Sequence, residues 1–252
     1  MRGEYQRGHG PKFGIIRRLA RRNLNFCVLT EVRCDPGNIK KSRIAKTMQP
    51  ALHSVSQEPR GGVVVYSHPD YELLNHSVRK SHIPGHFAMG VYITPTKSKL
   101  IVAGIYGPSA NNDRESSDFY EEVRQSLEEL SNTFGTNNMM LAGDFNAVLH
   151  HTDSSSEHHT KKNTSNLLNK MIEDLHLVDL AARARNTQHT WIRRNNNTIS
   201  SRLDLILTNL PISNLKYSVK TTIFDHAWVQ ATFGQKREHT NPTMRDYILG
   251  SE

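Results

Sequence analysis

Asp144 and Asn146, in the stretch Leu141-Ala-Gly-Asp-Phe-Asn, place a carboxylate and a carboxamide two residues apart. On an extended backbone such residues point the same way. Both side chains supply hard oxygen atoms, so together they can hold a water or hydroxide, or share in binding a cation. Taken alone, the motif equally describes a strand followed by an Asx turn, because Gly, Asp and Asn all favour turns. Three other places repeat the pattern. Glu31 follows Val28-Leu-Thr, Asp204 sits in Ser201-Arg-Leu-Asp-Leu-Ile, and Asp225-His226 lies between Thr222-Ile and Trp228-Val. A lone charge in or beside a core strand is costly. One such acid is ordinarily an ion pair, and Arg202 is placed to serve Asp204 in that way. Four acids point to a shared cation, and an oxygen-only set suits Mg²⁺ or Mn²⁺ better than zinc. His226 adds a group that titrates near neutrality and can act as a base toward water or a cation toward phosphate. Tyr106, just before Gly107-Pro108, offers a phenol at another strand end, with aromatic packing as its ordinary use.

The elements that must position these groups can be read in order. Phe13, Ile16, Leu19 and Ala20 give a helix an apolar face, with Arg17, Arg18, Arg21 and Arg22 opposite. Asn25 to Thr30 reads as a buried strand ending at Glu31, and Ile39 to Leu52 as a basic helix interrupted near Pro50. Val63-Val-Val-Tyr, Tyr71 to Val78, Phe87 to Ile93 and Leu100 to Tyr106 are four consecutive strand candidates. Ser117 is expected to cap a helix whose stripe is Phe119, Val123, Leu127 and Leu130. The Asp144 strand follows. A polar loop from His150 to Lys162 comes next, and its histidines lack the carboxylate or Cys spacing of a zinc site. Leu167, Leu168, Met171, Ile172 and Leu175 mark a further helix. Thr190 to Ile192, Leu203 to Leu207, Tyr217 to Ile223 and Trp228 to Phe233 close the chain as strands. After Gly234 the sequence turns polar and reads as a linker over 235–252. This order fits a layered α/β sandwich with one domain over 1–234.

Composition narrows the partner. The 252 residues suffice for one large domain, and the net charge of +8 suits a polyanion, nucleic acid first. Arg17, Arg18, Arg193 and Arg194 are candidates for phosphate contact. Cys27 and Cys34 make no disulfide framework, which points to a reducing compartment. No apolar run approaches a membrane span, and the N-terminus carries no secretory signal.

Glu31 in Leu-Thr-Glu-Val, Tyr106 in Ile-Tyr-Gly-Pro, the Gly-Asp-Phe-Asn motif, Asp204 in Ser-Arg-Leu-Asp and Asp225-His226 stand in a familiar order. In this the chain resembles the endonuclease/exonuclease/phosphatase superfamily, and within it the apurinic-type endonuclease domain of non-LTR (LINE-type) retrotransposons. Tyr106 resembles the apurinic and retrotransposon branch rather than the secreted deoxyribonucleases. The resemblance implies a four-layer sandwich of two mixed β-sheets flanked by helices, and Mg²⁺-dependent phosphodiester hydrolysis. It implies Glu31 as principal metal ligand and Asp225 as a further acid of the metal site. Asp144 would position or deprotonate the attacking water, Asn146 would hold water or phosphate, and Asp204 would orient His226. His226 and Tyr106 would contact the phosphate. DNA would be the partner, nicked to prime reverse transcription within a polyprotein that also carries a reverse transcriptase, at a nuclear or nucleo-cytoplasmic location. Family members open with a strand ending in Asn, whereas Met1-Arg-Gly resembles the sequence just after it. The expectation is therefore that this first strand is missing, which bears on activity. An abasic-site repair enzyme or small phosphoesterase of the same superfamily, and an inactive nucleic-acid-binding remnant, stay open as alternatives.

Overall fold

The computed structural model describes residues 24–32, 36–41, 44–55, 61–109, 113–156, 162–193, 199–222, 224–234 and 247–251. The basic helix expected around Arg17 and Arg18, and Arg194 itself, lie outside these residues.

The described residues open with β1 (Phe26–Thr30), α1 (Pro36–Lys40), β2 (Gln49–Ser54) and β3 (Val63–Ser67). Next come the short strands β4 (Glu72–Leu73) and β5 (Arg79–Lys80), then the longer β6 (Phe87–Ile93) and β7 (Lys99–Tyr106). The long helix α2 (Asp113–Phe134) leads to β8 (Met139–Asp144) and α3 (Lys162–Asp174). The second half holds β9 (Val178–Asp179), α4 (Leu180–Arg183), β10 (Trp191–Ile192), β11 (Ser200–Ser201) and β12 (Asp204–Thr208). It closes with β13 (Lys216–Lys220), β14 (Trp228–Thr232) and β15 (Tyr247–Ser251).

Two mixed sheets form the body. One runs β13-β14-β15-β1-β3-β2, the other β4-β6-β7-β8-β12-β9 with β5 also on β6. In the second sheet β7 and β8 are parallel, and α2 is the crossover that joins them. Phe26, Val28, Val63 and Val65 meet Tyr92, Val102, Met140 and Ile206 between the sheets. The outer face of the second sheet packs Met89, Ile101, Leu141 and Leu205 against Val123, Leu127 and Leu130 of α2 and Leu168 and Met171 of α3. The outer face of the first packs Cys27, Leu29 and Val64 against Ile39 of α1 and Ile44. Strands of both sheets are buried on two faces, so they read as continuous apolar runs such as Val63-Val-Val-Tyr rather than as alternations.

Four local expectations need correction. The basic segment from Ile39 is not one helix: α1 stops at Lys40, and Gln49–Ser54 is an edge strand on β3, with a register shift between Pro50 and Leu52. An edge strand has room for Pro, which cannot donate to a ladder. Tyr71 to Val78 yields only the two-residue β4 and a single 3-10 turn at Asn75–Ser77. Helix α2 starts at Asp113, one turn before Ser117. The supposed linker contains β15, which pairs parallel to β1 and antiparallel to β14, in the middle of the first sheet.

Candidate active site

Register brings the chemistry together. In the second sheet Tyr106 pairs with Asp144 across the parallel β7–β8 ladder, and Asp144 pairs with Asp204 across the antiparallel β8–β12 ladder. The three side chains therefore stand in one row at one end of the sheet. Gly143 and Gly107 let the strand ends approach this closely. A Cβ on Gly143 would run into the backbone of Ile105, and one on Gly107 into that of Phe145. Gly143 also has φ 151, a conformation L side chains avoid.

Asp144 and Asp204 are almost wholly buried, each 1 % exposed, and His226 is buried beside them. His226 Nδ1 lies 2.9 Å from Asp204 Oδ2, and Nε2 lies 3.8 Å from Asp144 Oδ2. One imidazole thus stands between two carboxylates. Burial opposes its charge, but Asp204 and Asp144, with the hydrogen bond to Asp204, outweigh burial and push its pKa up to about 10. Burial also raises Asp144. His226 opposes that rise and Asp204 and Glu31 add to it, leaving the Asp144 carboxyl at about 7.

Glu31 comes from the other sheet, directly after β1. Tyr106 donates its phenolic hydrogen to Glu31 Oε1 at 3.1 Å, linking the two sheets across the site. Glu31 and Asn146 both have left-handed backbones, with φ 54 and 48. Such strain in non-glycine residues concentrates at functional sites. Asn146 donates its backbone N–H to Asp144 Oδ1 and its side-chain amide to the Gly107 carbonyl, which fixes its orientation.

The loop carrying His226 is held by a hairpin. Trp191 bridges to His226, the Ile192 N–H donates to the Asp225 carbonyl, and the Ala227 N–H to that of Thr190. Thr190 Oγ1 accepts from the backbone N–H groups of both Leu203 and Asp204. Thr190 carries no chemistry of its own, and only tertiary structure reveals it as the anchor of the Asp204 backbone.

Arg202 does not serve Asp204. Its guanidinium takes Asp153 through Nε and Nη2 and Asp179 through Nη1, each at 2.8 Å. Asp153 lies in the His-rich loop and Asp179 caps α4, so Arg202 ties two distant segments to the start of β12. Arg193 is exposed at the rim of the hairpin.

A divalent metal can be judged against these donors. Among the described residues, no three of His, Cys, Asp and Glu make a ready cage, so Glu31 and Asp225 do not close one with a third acid. The donor chemistry nonetheless suits a hard cation. Glu31, Asp144 and Asp204 load one end of the sheet pair with carboxylates, and burial with that mutual repulsion raises Asp144. A cation at Glu31 would relieve the excess.

The family model described as endonuclease-reverse transcriptase matches residues 100–230, just over half of the chain. The chain belongs to this family. Its fold is that of the endonuclease/exonuclease/phosphatase superfamily, shared with structures of low sequence identity. The catalytic domain of APE2 from Xenopus laevis has 15 % identity and a TM-score of 0.68, over 89 % of this chain and 88 % of that one. A Neisseria 3′ phosphatase, NExo, bound to a product DNA hairpin, has 16 % identity and a TM-score of 0.66, over 88 % and 93 %. Truncated TDP2 from Caenorhabditis elegans has 12 % identity and a TM-score of 0.61, over 88 % of each chain. No curated protein matches the sequence. Among the described residues no helix is long and apolar enough to cross a membrane.

Proposed function

We propose that this chain is a Mg²⁺-dependent phosphodiester hydrolase, the DNA-nicking domain of a non-LTR retrotransposon, with nuclear target DNA whose nick primes reverse transcription. The observation that carries this reading is the row Tyr106, Asp144 and Asp204 with His226 between the two acids. Phosphodiester cleavage needs a nucleophile oriented on one side of the phosphorus and positive charge where negative charge builds up. Asp144, with its pKa near 7, accepts a proton from water at neutral pH. His226, kept cationic by Asp204, faces the phosphate as a donor through Nε2. Asn146 and Tyr106 position the phosphate oxygens. Glu31 would hold Mg²⁺, or Mn²⁺, with Asp225 as a further acid. Bound there, the ion would supply Lewis-acid stabilisation of the phosphoryl oxygens. The exposed Arg193 and the net charge of +8 favour a polyanionic substrate.

A repair enzyme for abasic sites is the second reading, and the family model's pairing of endonuclease with reverse transcriptase favours the first. Cleavage of matched duplexes, one intact and one with a single abasic analogue, separates them. The expected result with Mg²⁺ is nicking of the intact duplex at comparable rate. Cleavage confined to the abasic duplex overturns the retrotransposon reading in favour of repair.

A further inference from the structure

A cavity of about 280 Å³ lies beside this site and takes no part in the chemistry derived above. Its place follows from topology. His86 directly precedes β6, which runs antiparallel to β7, so His86 sits at the same sheet end as Tyr106. The two are locked together: the Tyr106 N–H donates to the His86 carbonyl, and His86 Nδ1 lies 2.9 Å from the Tyr106 carbonyl oxygen. Pro108, two residues beyond Tyr106, forms another wall, and the first turns of α2 close the far side.

The lining is selective. Ile83, Pro108 and the ring of His86 give apolar surface, backed by the largely buried Phe119 ring, whose centre lies 5.5 Å from that of His86 at an interplanar angle of 53°. Ile83 is 46 % exposed, one of three large apolar side chains so open among the described residues. Carboxylates of Asp118 and Glu122 stand at the polar side. Glu122 is already engaged by the Ser81 hydroxyl and by the backbone and ring of His82. Asp118 meets Arg114 only loosely, at 3.9 Å, and is 75 % exposed. This acid repels phosphate and accepts hydrogen bonds from amino groups. The volume is at the small end of ligand cavities, about 300 Å³ and above, which suits one ring system rather than a whole nucleotide.

We infer that this cavity receives an unstacked nucleobase of the DNA substrate, one bearing an exocyclic amine, close to the scissile phosphate. Rings stack on Ile83, Pro108 and the aromatic wall, as bases do on such surfaces in single-strand binding. The amine donates to Asp118, the pairing by which carboxylates favour cytosine N4 over thymine O4. The inference rests on the DNA-nicking reading above and adds a base preference near the cut.

The test uses the full chain and oligonucleotide duplexes with 2-aminopurine at successive positions around the preferred nick, in EDTA. Anisotropy of a terminal label reports binding, and 2-aminopurine emission reports stacking. At one position emission should change sharply on binding. That change should be lost in Ile83→Ala and weakened in Asp118→Asn, while far-UV circular dichroism shows both variants folded. Bound duplexes with no responsive position overturn the inference and leave the nicking reading intact. A response that survives Ile83→Ala and Asp118→Asn overturns it equally, as does absence of any DNA binding. A responsive position in a protein that never nicks DNA sustains the cavity and sinks the nicking reading alone.

Discussion

Two buried charge clusters stand two residues apart at the start of β12, and they are built to opposite ends. Arg202 gathers Asp153 and Asp179 with three contacts of 2.8 Å, and all three side chains are at most 7 % exposed. Its charge is permanent, its donors are matched, and the acids also accept from local backbone N–H groups, that of His150 at Asp153 Oδ2, which Arg202 shares, and that of Ala181 at Asp179 Oδ1. Asp144, Asp204 and His226 have the same count of acids and cations, but the contact is closed on one side only, 2.9 Å to Asp204 against 3.8 Å to Asp144. Their cation is an imidazole that can lose its proton. A saturated cluster holds segments in place. One left open, with displaced pKa values, is poised for proton transfer.

Substitutions should pull this contrast apart. The largest expected effect is on activity at the open cluster. His226→Ala should cut the plasmid nicking rate by about 10²–10⁴-fold with far-UV circular dichroism unchanged, since general acid–base groups contribute on that order. The closed cluster should respond in stability instead. Arg202→Ala leaves two buried carboxylates without their cation, and urea unfolding should show a loss of about 3–5 kcal/mol.

The open cluster should also make metal-free stability depend on pH, in a fixed direction. Asp144 is raised from 3.8 to about 7, so the folded state holds its proton more tightly than the unfolded state. Its contribution is full below the ordinary carboxylate range and is lost as pH rises through 7. His226 is raised from 6.5 to about 10, so its contribution is full below 6.5 and lost as pH rises through 10. Urea midpoints measured in EDTA should therefore fall from mildly acid to alkaline pH. Asp204→Asn should flatten the upper part of that fall, because Asp204 is the main carboxylate raising His226. The smallest effect is expected at Thr190→Val, which strips one acceptor from the Leu203 and Asp204 N–H groups. It should cost about 1–3 kcal/mol in urea unfolding.

Much of the open cluster is visible in the sequence, because each member sits at the end of an apolar run. Asp144 after Met140-Leu-Ala-Gly and Asp204 before Leu205-Ile-Leu are strand ends by pattern, and the structure sets them in register. The closed cluster is invisible there. Arg202 lies 49 residues from Asp153 and 23 from Asp179, and nothing local marks them as partners, so its neighbour Asp204 is the natural but wrong choice. The sheets are legible where strands are apolar throughout, as in β3, β6 and β7. They are not legible at β2, where Pro50 within it and the lysines that precede it (Lys40, Lys41 and Lys46) disguise an edge strand, or at β15, whose polar surroundings read as linker. Between β14 and β1, β15 takes its place through backbone pairing, and its apolar run Tyr247-Ile-Leu is too short to stand out as a strand among polar neighbours.

The most direct measurement of the central claim is nicking of supercoiled plasmid by the folded protein with Mg²⁺, beside EDTA and His226→Ala. Nicking that needs both the ion and His226 is the predicted result. Nicking that persists in EDTA or in His226→Ala, or its absence from folded protein that binds DNA, would contradict the account.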